Sequence, residues 1–344
     1  MHVLAWPAFR KAAANPHAAL LAEALRGQGV AVEDWTPWRA LRAPGPLWHL
    51  HHPETVLYRR SVWLASLETG LFVLLVTQAR WRGTRILWTI HDLGSNDRLH
   101  PALEGWFWRW FTGRIEAVIG LSRHSLALAD ARFPRIRSLP HHVVPHGHYR
   151  DAYPRGTTRA GARAALGLDP EAPVLLHFGL LRPYKNVPLL IRRFAEAGIP
   201  DATLLIAGRA FDGVVESEVR RCAASARPAD VRLTLRHIEA REVQLYFAAA
   251  DLVVLPYRRI LNSGALILAL SFDRPVLVPA LGSMAEHAQS FGEDWVRLYE
   301  GELEAAMLVD ACRWARETER AALDLHPLDW PQLAARTREI YEGS

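Results

Sequence analysis

The fold class this sequence predicts is α/β, with two successive doubly wound domains and a cleft between their strand ends. Three observations predict it. Short apolar runs of strand length alternate with helix-compatible segments along the whole chain, the rhythm of a parallel sheet covered on both faces. The 344 residues exceed one ordinary core and suit two of about 150–180 residues each. The rhythm breaks at 150–173, a stretch rich in Arg, Gly, Pro and Ala that reads as a linker with a short helix. The boundaries expected from this are 1–155, 156–325 and a terminal helix at 326–344.

In chain order, 3–6 reads as a strand, and Asn15-Pro16 opens a helix that runs to about Leu25 before Gly27 and Gly29 end it. Strands at 30–33 and 47–51 follow, then an apolar helix over 61–80 and a buried strand at 85–90 ending in His91-Asp92. The first half closes with a strand at 117–121, a helix to about Ala129, and Val143-Val144-Pro145-His146-Gly147. The second half repeats the pattern with strands at 174–178, 202–207, 231–235, 252–255 and 275–278.

Composition narrows the function classes. Half the residues are hydrophobic and mean hydropathy is near zero, as in a packed globular chain rather than a disordered one. Cys222 and Cys312 lie far apart without a CxxC spacing, so neither a disulfide framework nor a zinc site is expected, and a reducing cytoplasm fits. The N-terminus reads as a strand, not a secretory signal. The apolar run at 71–76 is interrupted by Glu68, Thr77, Gln78 and Arg80, too short and polar to span a bilayer. A net charge of +5 without a helix-turn-helix, zinc-finger or RNA-binding signature excludes a nucleic-acid partner. Arginine does interleave with aromatics at Tyr58-Arg59-Arg60, Arg80-Trp81-Arg82 and Trp106-Phe107-Trp108-Arg109-Trp110-Phe111. That pattern suits either an anionic membrane surface or helices whose aromatics pack inward.

Chemistry concentrates in Gly179-Leu180-Leu181-Arg182-Pro183-Tyr184-Lys185-Asn186, which links the 174–178 strand to an amphipathic helix. This places a glycine turn, a guanidinium and an ammonium at the carboxyl end of a parallel strand, where open α/β sheets bind ligands. Cations at a helix start oppose its dipole, a local conflict that points to function. Ser263-Gly264 opens a second helix, whose unpaired N–H groups favour an anion. Two cations and a helix N-terminus suit a diphosphate.

These motifs, with Ile206-Ala207-Gly208, Ala250-Asp251-Leu252, Asp273-Arg274-Pro275, Trp88-Thr89-Ile90-His91-Asp92 and Pro145-His146-Gly147-His148-Tyr149, resemble the GT-B glycosyltransferases over nearly the whole chain. Trp330-Pro331 into 334–341 looks like the last helix of that family, which crosses back onto the first domain. The finer likeness is to bacterial polysaccharide enzymes of the xanthan-type β-mannosyltransferase group. The resemblance implies two Rossmann-like domains facing across a cleft and transfer of a sugar, GDP-mannose favoured, to a lipid-linked or polysaccharide acceptor. It also implies a cytoplasmic protein peripheral to the inner face of the membrane, with no metal and no cofactor beyond the nucleotide-sugar co-substrate.

Site residues follow from the motifs and the resemblance together. Arg182, Lys185, Asn262, Ser263 and Gly264 are expected at the diphosphate. Gly179, Gly208, Arg209, His237, Ile238, Tyr257 and Glu286 are expected around the nucleotide. His91 ends a buried strand where relatives place a histidine near the donor sugar, and Asp92 and Asp97 are the candidate general bases. Asn15, His146 and His148 are candidates for the acceptor or the cleft; Asn15 equally suits a helix cap and the two histidines a domain interface. One departure stands out: many retaining relatives carry paired glutamates where this chain has Ile260 and Leu268. That puts retention of configuration in doubt and makes inversion at least as good an expectation. It also leaves open a non-catalytic nucleotide-sugar-binding partner of a synthase complex.

Overall fold

The computed structural model describes residues 1–343 apart from 11, 13, 14, 44 and 95–98. It divides into two compact units, Met1–Gly147 with His326–Ser344, and His148–Leu325.

The first unit runs β1 (His2–Trp6), α1 (His17–Gly27), β2 (Ala31–Asp34), α2 (Pro37–Arg42), β3 (Leu47–Leu50), α3 (Val62–Trp81), β4 (Arg85–Ile90), α4 (Pro101–Phe111), β5 (Ala117–Gly120), α5 (Arg123–Arg132) and β6 (His141–Val143). Its sheet is parallel, in the order β2-β1-β3-β4-β5-β6. The strand residues of β3 and β5 are buried throughout, which is why they read as unbroken apolar runs rather than alternating ones. On one face Trp88, Trp108, Phe111 and Phe133 interlock with ring centroids 5.0–5.9 Å apart. The Trp-rich segment of α4 therefore packs mostly inward: Phe107, Trp108 and Phe111 are buried, and Trp106 remains exposed. The lipid alternative for that segment gives way to core packing.

The second unit runs α6 (Arg159–Ala165), β7 (Val174–Phe178), α7 (Val187–Ala197), β8 (Thr203–Ala207), α8 (Gly213–Ser225), β9 (Asp230–Thr234), α9 (Ala240–Ala249), β10 (Leu252–Val254), α10 (Gly264–Ser271), β11 (Val276–Pro279), α11 (Met284–Phe291), β12 (Val296–Tyr299) and α12 (Ala305–Glu317). The sheet order is β12-β11-β10-β7-β8-β9, again parallel. The edge strand β12 was not expected, because Val296-Arg297-Leu298-Tyr299 is short and interrupted by an arginine.

The division falls at Gly147–His148, ahead of the basic segment that reads as a linker. That segment is tied into the second unit: the Tyr149 N–H donates to Ser271 Oγ at 2.8 Å, and Arg150 pairs with Asp273 at 2.8 Å. α6 is anchored by Arg163, wholly buried, whose guanidinium meets Asp251 at 2.8 Å and the carbonyls of Ala249, Asp169, Pro170 and Ala172. A buried charge needs this complete set of partners. Asp251 also accepts from the Val174 N–H at 2.8 Å, so it serves structure at the amino end of the sheet.

The last helix, α13 (Trp330–Glu342), packs on α1 in the first unit. Gly147 makes room for it: a Cβ there would lie 2.5 Å from the Trp330 ring.

Candidate functional site

Strand order locates both candidate sites. In open α/β sheets ligands bind beyond the carboxyl ends of the strands, where the order reverses. That point lies between β1 and β3 in the first unit and between β7 and β10 in the second.

In the second unit Gly179, with φ 112°, follows β7, and Gly208, with φ 144°, follows β8. The two turns touch backbone to backbone, since a Cβ on Gly208 would fall 2.0 Å from the Gly179 carbonyl oxygen. Only glycine allows both the dihedral and the approach. Beyond them the Leu181 N–H donates to the Arg209 carbonyl and the Phe211 N–H to the Leu181 carbonyl, each at 2.9 Å. The Arg182 guanidinium stacks 4.1 Å above the Phe211 ring. The Pro183–Lys185 turn is clasped to the loop after β10, because the Arg258 N–H donates to the Tyr184 carbonyl at 2.8 Å.

Lys185 thus lies 5.5 Å from the centroid of the buried Tyr257 ring. Burial, reinforced by the like charge of Arg182, brings its pKa down to about 8. His177, beneath it on β7, is wholly buried and bonds the Val254 carbonyl through Nδ1 at 2.9 Å, while its Nε2 has no partner. Burial and the Lys185 charge depress that imidazole to about 3. Tyr257 is pushed above the usual phenol range by burial. Sequence reasoning missed His177; its mid-strand position gave no signal.

Across the loop, Ser263 caps α10, its Oγ accepting from the Leu266 N–H at 3.1 Å. The serine oxygen is therefore committed to the helix, and an anion would meet the backbone N–H groups of the first turn. The loop is held from the other side by Gly282, where a Cβ would lie 2.2 Å from the Ile260 carbonyl oxygen, and by the Ser283 N–H donating to Leu261 at 3.1 Å. Asn262 is half-buried on this loop, and Glu286 is half-buried in the first turn of α11, the helix that follows the clamp. Leu268 is buried in α10, so no carboxylate issues from that position.

Arg209 is exposed at the end of β8, and His237 is exposed after β9 while Ile238 is buried. The His237 carbonyl already accepts from Arg236 at 3.0 Å, which leaves less of that backbone for a base than the sequence suggests.

In the first unit the carboxyl edge is lined with histidines. His91 follows β4, His51 and His52 follow β3, His17 opens α1, and His146 follows β6. His51 Nδ1 and His91 Nε2 lie 3.1 Å apart, so one ring donates and the other accepts. The His52 ring stacks on His91 at 4.6 Å, and His17 contacts His146 at 4.2 Å and His91 at 5.4 Å. Behind them His49 bonds Tyr341 Oη and Thr89 Oγ1, each at 2.6 Å.

Burial depresses these imidazoles, His49 to about 3 and His146 to about 4, and holds His17, His51 and His91 well below the usual value. At neutral pH the cluster is uncharged and suited to hydroxyl groups. Of its members the sequence reading named His91 and His146 only; His49, His51 and His52 stand in Leu47-Trp48-His49-Leu50-His51-His52, and a histidine closing successive strands was the signal.

Asn15 precedes the N-cap Pro16 of α1, its Oδ1 accepting from the His17 N–H at 3.1 Å. Asp92 is half-buried beside His91, and Asp97 lies outside the described residues. His146 and His148 fall in different units; His148 Nδ1 accepts from the Arg150 N–H at 3.2 Å. Among the described residues no group of three or more His, Cys, Asp or Glu side chains could hold a metal ion.

Comparison with known proteins agrees with this architecture. The profile of the glycosyl transferases group 1 family matches residues 172–315, the unit carrying the Lys185 site. The chain is 34% identical, over 83% of its length and 76% of the relative's, to the GDP-mannose:glycolipid 4-beta-D-mannosyltransferase of Xanthomonas campestris pv. campestris. Among solved structures, sucrose-phosphate synthase from Thermosynechococcus elongatus superposes with a TM-score of 0.72 at 18% identity, covering 99% of this chain and 98% of that one. Anabaena HepE, solved with UDP and glucose, gives 0.67 at 15% identity, covering 99% and 98%. Two parallel six-stranded Rossmann-like sheets, a family profile over the second and this kinship over most of the chain lead to one conclusion: the chain belongs to the group 1 glycosyltransferases, enzymes of the GT-B fold.

Proposed function

We propose that this glycosyltransferase moves mannose from GDP-mannose to a lipid-linked glycan at a membrane surface, inverting the anomeric carbon without a metal ion. One observation carries the donor half of this reading: Lys185 is half-buried at the switch point of the second sheet, over the Tyr257 ring, and the charge bearing on it is that of Arg182, of like sign. A partly desolvated ammonium beside a guanidinium is costly until an anion arrives. A nucleoside diphosphate supplies that anion.

In the reaction the acceptor oxygen attacks C1 of mannose, the bond from C1 to the β-phosphate oxygen breaks, and the hydroxyl proton passes to a base. Negative charge grows on the leaving GDP. Arg182 offers a planar fork of donors, Lys185 a point charge and the first turn of α10 its N–H groups, all stronger partners for the leaving group than for the bound donor. Gly179 and Gly208 keep the backbone close enough for the nucleotide to approach. Arg209, His237, Ile238, Tyr257 and Glu286 surround the remainder of the nucleotide in this reading. His91, kept neutral and oriented by His51, handles a sugar hydroxyl, and Asp92 or Asp97 takes the proton. Ile260 and Leu268, in place of the glutamates of many retaining relatives, support inversion. The Xanthomonas relative, by its name, uses GDP-mannose and a glycolipid, which supports the choice of both substrates.

The test is thermal unfolding of the purified chain with GDP, UDP, ADP and dTDP, then turnover of GDP-mannose with product configuration read by proton NMR. GDP at a hundred times its dissociation constant should stabilise by about 2.7 kcal/mol. A response to UDP alone overturns the mannose assignment, and an α-linked product overturns inversion.

A further inference from the structure

α3 breaks the usual rule for a helix on a sheet. Its inner side, Ala65, Thr69, Phe72, Leu75, Val76 and Ala79, is buried. The opposite side carries Leu64, Leu67, Leu71 and Leu74 in one strip, with Trp63 and Trp81 at the two ends. Trp63 is 82% exposed, Leu67 70%, Leu74 65% and Trp81 87%. A helix apolar all round belongs in a core or in lipid, and a continuous exposed strip of this kind marks an interaction surface. Contrary to the expectation from the 71–76 run, α3 is by length and composition alone able to cross a bilayer, yet its inner side is packed into the first unit, so it can only lie on one.

The rim identifies the occupant. Of the six arginines in residues 37–82, Arg39, Arg59 and Arg80 pair with Glu33, Glu68 and Glu116, so Arg42, Arg60 and Arg82 set the sign of the rim. Glu54 is buried beside His52, and Glu68, on the rim, is paired with Arg59 at 2.7 Å. Arg60 and Arg82 are exposed at opposite ends of the helix, and Trp38 on the adjoining α2 is exposed beneath the Arg42 guanidinium at 3.8 Å. Tryptophans about 27 Å apart along one helix, each flanked by arginine, match the headgroup zone of a bilayer on both sides of an apolar strip. The positive rim matches anionic headgroups; a protein partner would need acidic patches at both ends and leucine sockets between.

We infer that the outer face of α3, from Trp63 to Trp81, seats the first unit in the plane of an anionic lipid bilayer. The inference rests on the proposed membrane-surface function and names the surface responsible, which is α3 and not the aromatic helix α4. It also explains a pocket of about 320 Å³ beside Leu71 and Phe72, walled by Trp6, Trp35 and Val56, with the two indoles stacked 4.7 Å apart. Trp6 closes β1, so this recess, which Arg10 and Glu68 also line, lies between the outer strip of α3 and the carboxyl end of β1.

The experiment is sedimentation of the full chain with phosphatidylcholine vesicles, with and without phosphatidylglycerol. Wild type should bind the anionic vesicles, and Leu67→Glu with Leu74→Glu should lose at least about tenfold in partitioning with an unchanged Tm. Arg60→Gln and Arg82→Gln should each cost about fivefold at low salt. Turnover on a water-soluble acceptor should stay intact in all of them while turnover on a vesicle-embedded acceptor falls. Equal vesicle binding by wild type and the double glutamate variant overturns the inference. So does a wild type that ignores vesicles but is dimeric in solution, with the glutamate variant monomeric, since that makes the strip a self-association face. Vesicle binding is read without turnover, so a chain that binds lipid but never transfers mannose refutes the proposed reaction and leaves the docking surface standing.

Discussion

The two sheet edges of this enzyme use opposite electrostatics. At the switch point of the second sheet, Lys185 and Arg182 bring two positive charges to one turn, and burial makes the ammonium expensive. At the edge of the first sheet, His17, His51, His91 and His146 crowd together with every ring pushed toward its neutral form. One edge holds like charges together; the other has removed its own charge and offers donors and acceptors alone. The contrast teaches that a shared architecture does not dictate a shared chemistry: the side chains standing at the strand ends decide which half of a group transfer each sheet can serve.

Replacing Lys185 should break the comparison most visibly. Lys185→Met should lower kcat/KM for the nucleotide sugar by about 10²–10³-fold and raise Tm, because a partly desolvated charge beside Arg182 is gone. A fall in Tm with unchanged kinetics would make Lys185 structural. The wild-type ammonium carries a further signature. Its pKa of about 8 means that the apo site loses its proton above that pH, so diphosphate affinity should weaken by up to about tenfold per pH unit there. For the same reason stability should rise between about 8 and 10.5, where the unfolded chain holds a proton that the folded one has shed.

Acid should act on the other edge. Below about 6.5 the unfolded histidines take up protons that the folded cluster refuses, so the first unit loses stability as pH falls. His49 and His146 should each cost about 1.4 kcal/mol per pH unit until about 3 and 4 respectively are reached. Calorimetry from pH 7 to 5 checks this, and an unchanged first transition would refute the neutral cluster. The smallest effect belongs to Tyr341→Phe, which strips His49 of the 2.6 Å contact with the phenol and should cost about 1–2 kcal/mol in unfolding by denaturant, without altering nucleotide affinity.

Much of this was legible beforehand. The apolar runs at 85–90 and 174–178 announced buried parallel strands, and Gly179 to Asn186 announced two cations in a turn at a strand end, where the structure has them. Trp106 to Phe111 misled in part: arginine interleaved with tryptophan looks alike whether the rings face a core or lipid, and packing against Trp88 and Phe133 decides for the core. The exposed strip of α3 was hidden for the converse reason. Its leucines recur on both sides of the helix, so periodicity could not say which side the sheet covers. The histidines at strand ends were visible in Leu47–His52 and at His91, but their gathering with His17 and His146 was not, since these residues meet only once β1, β3 and β4 lie side by side.

The sequence by itself determined the two parallel sheets, the family and the position of Arg182 and Lys185, because strand runs, glycine turns and cations near a helix start are local patterns with local physical causes. Only the tertiary structure decided that Lys185 is half-buried over Tyr257 beside a like charge, that the histidines gather into a neutral cluster, and that α3 turns a leucine strip outward. Burial and pairing belong to side chains brought together across the fold, and no spacing along the chain encodes them.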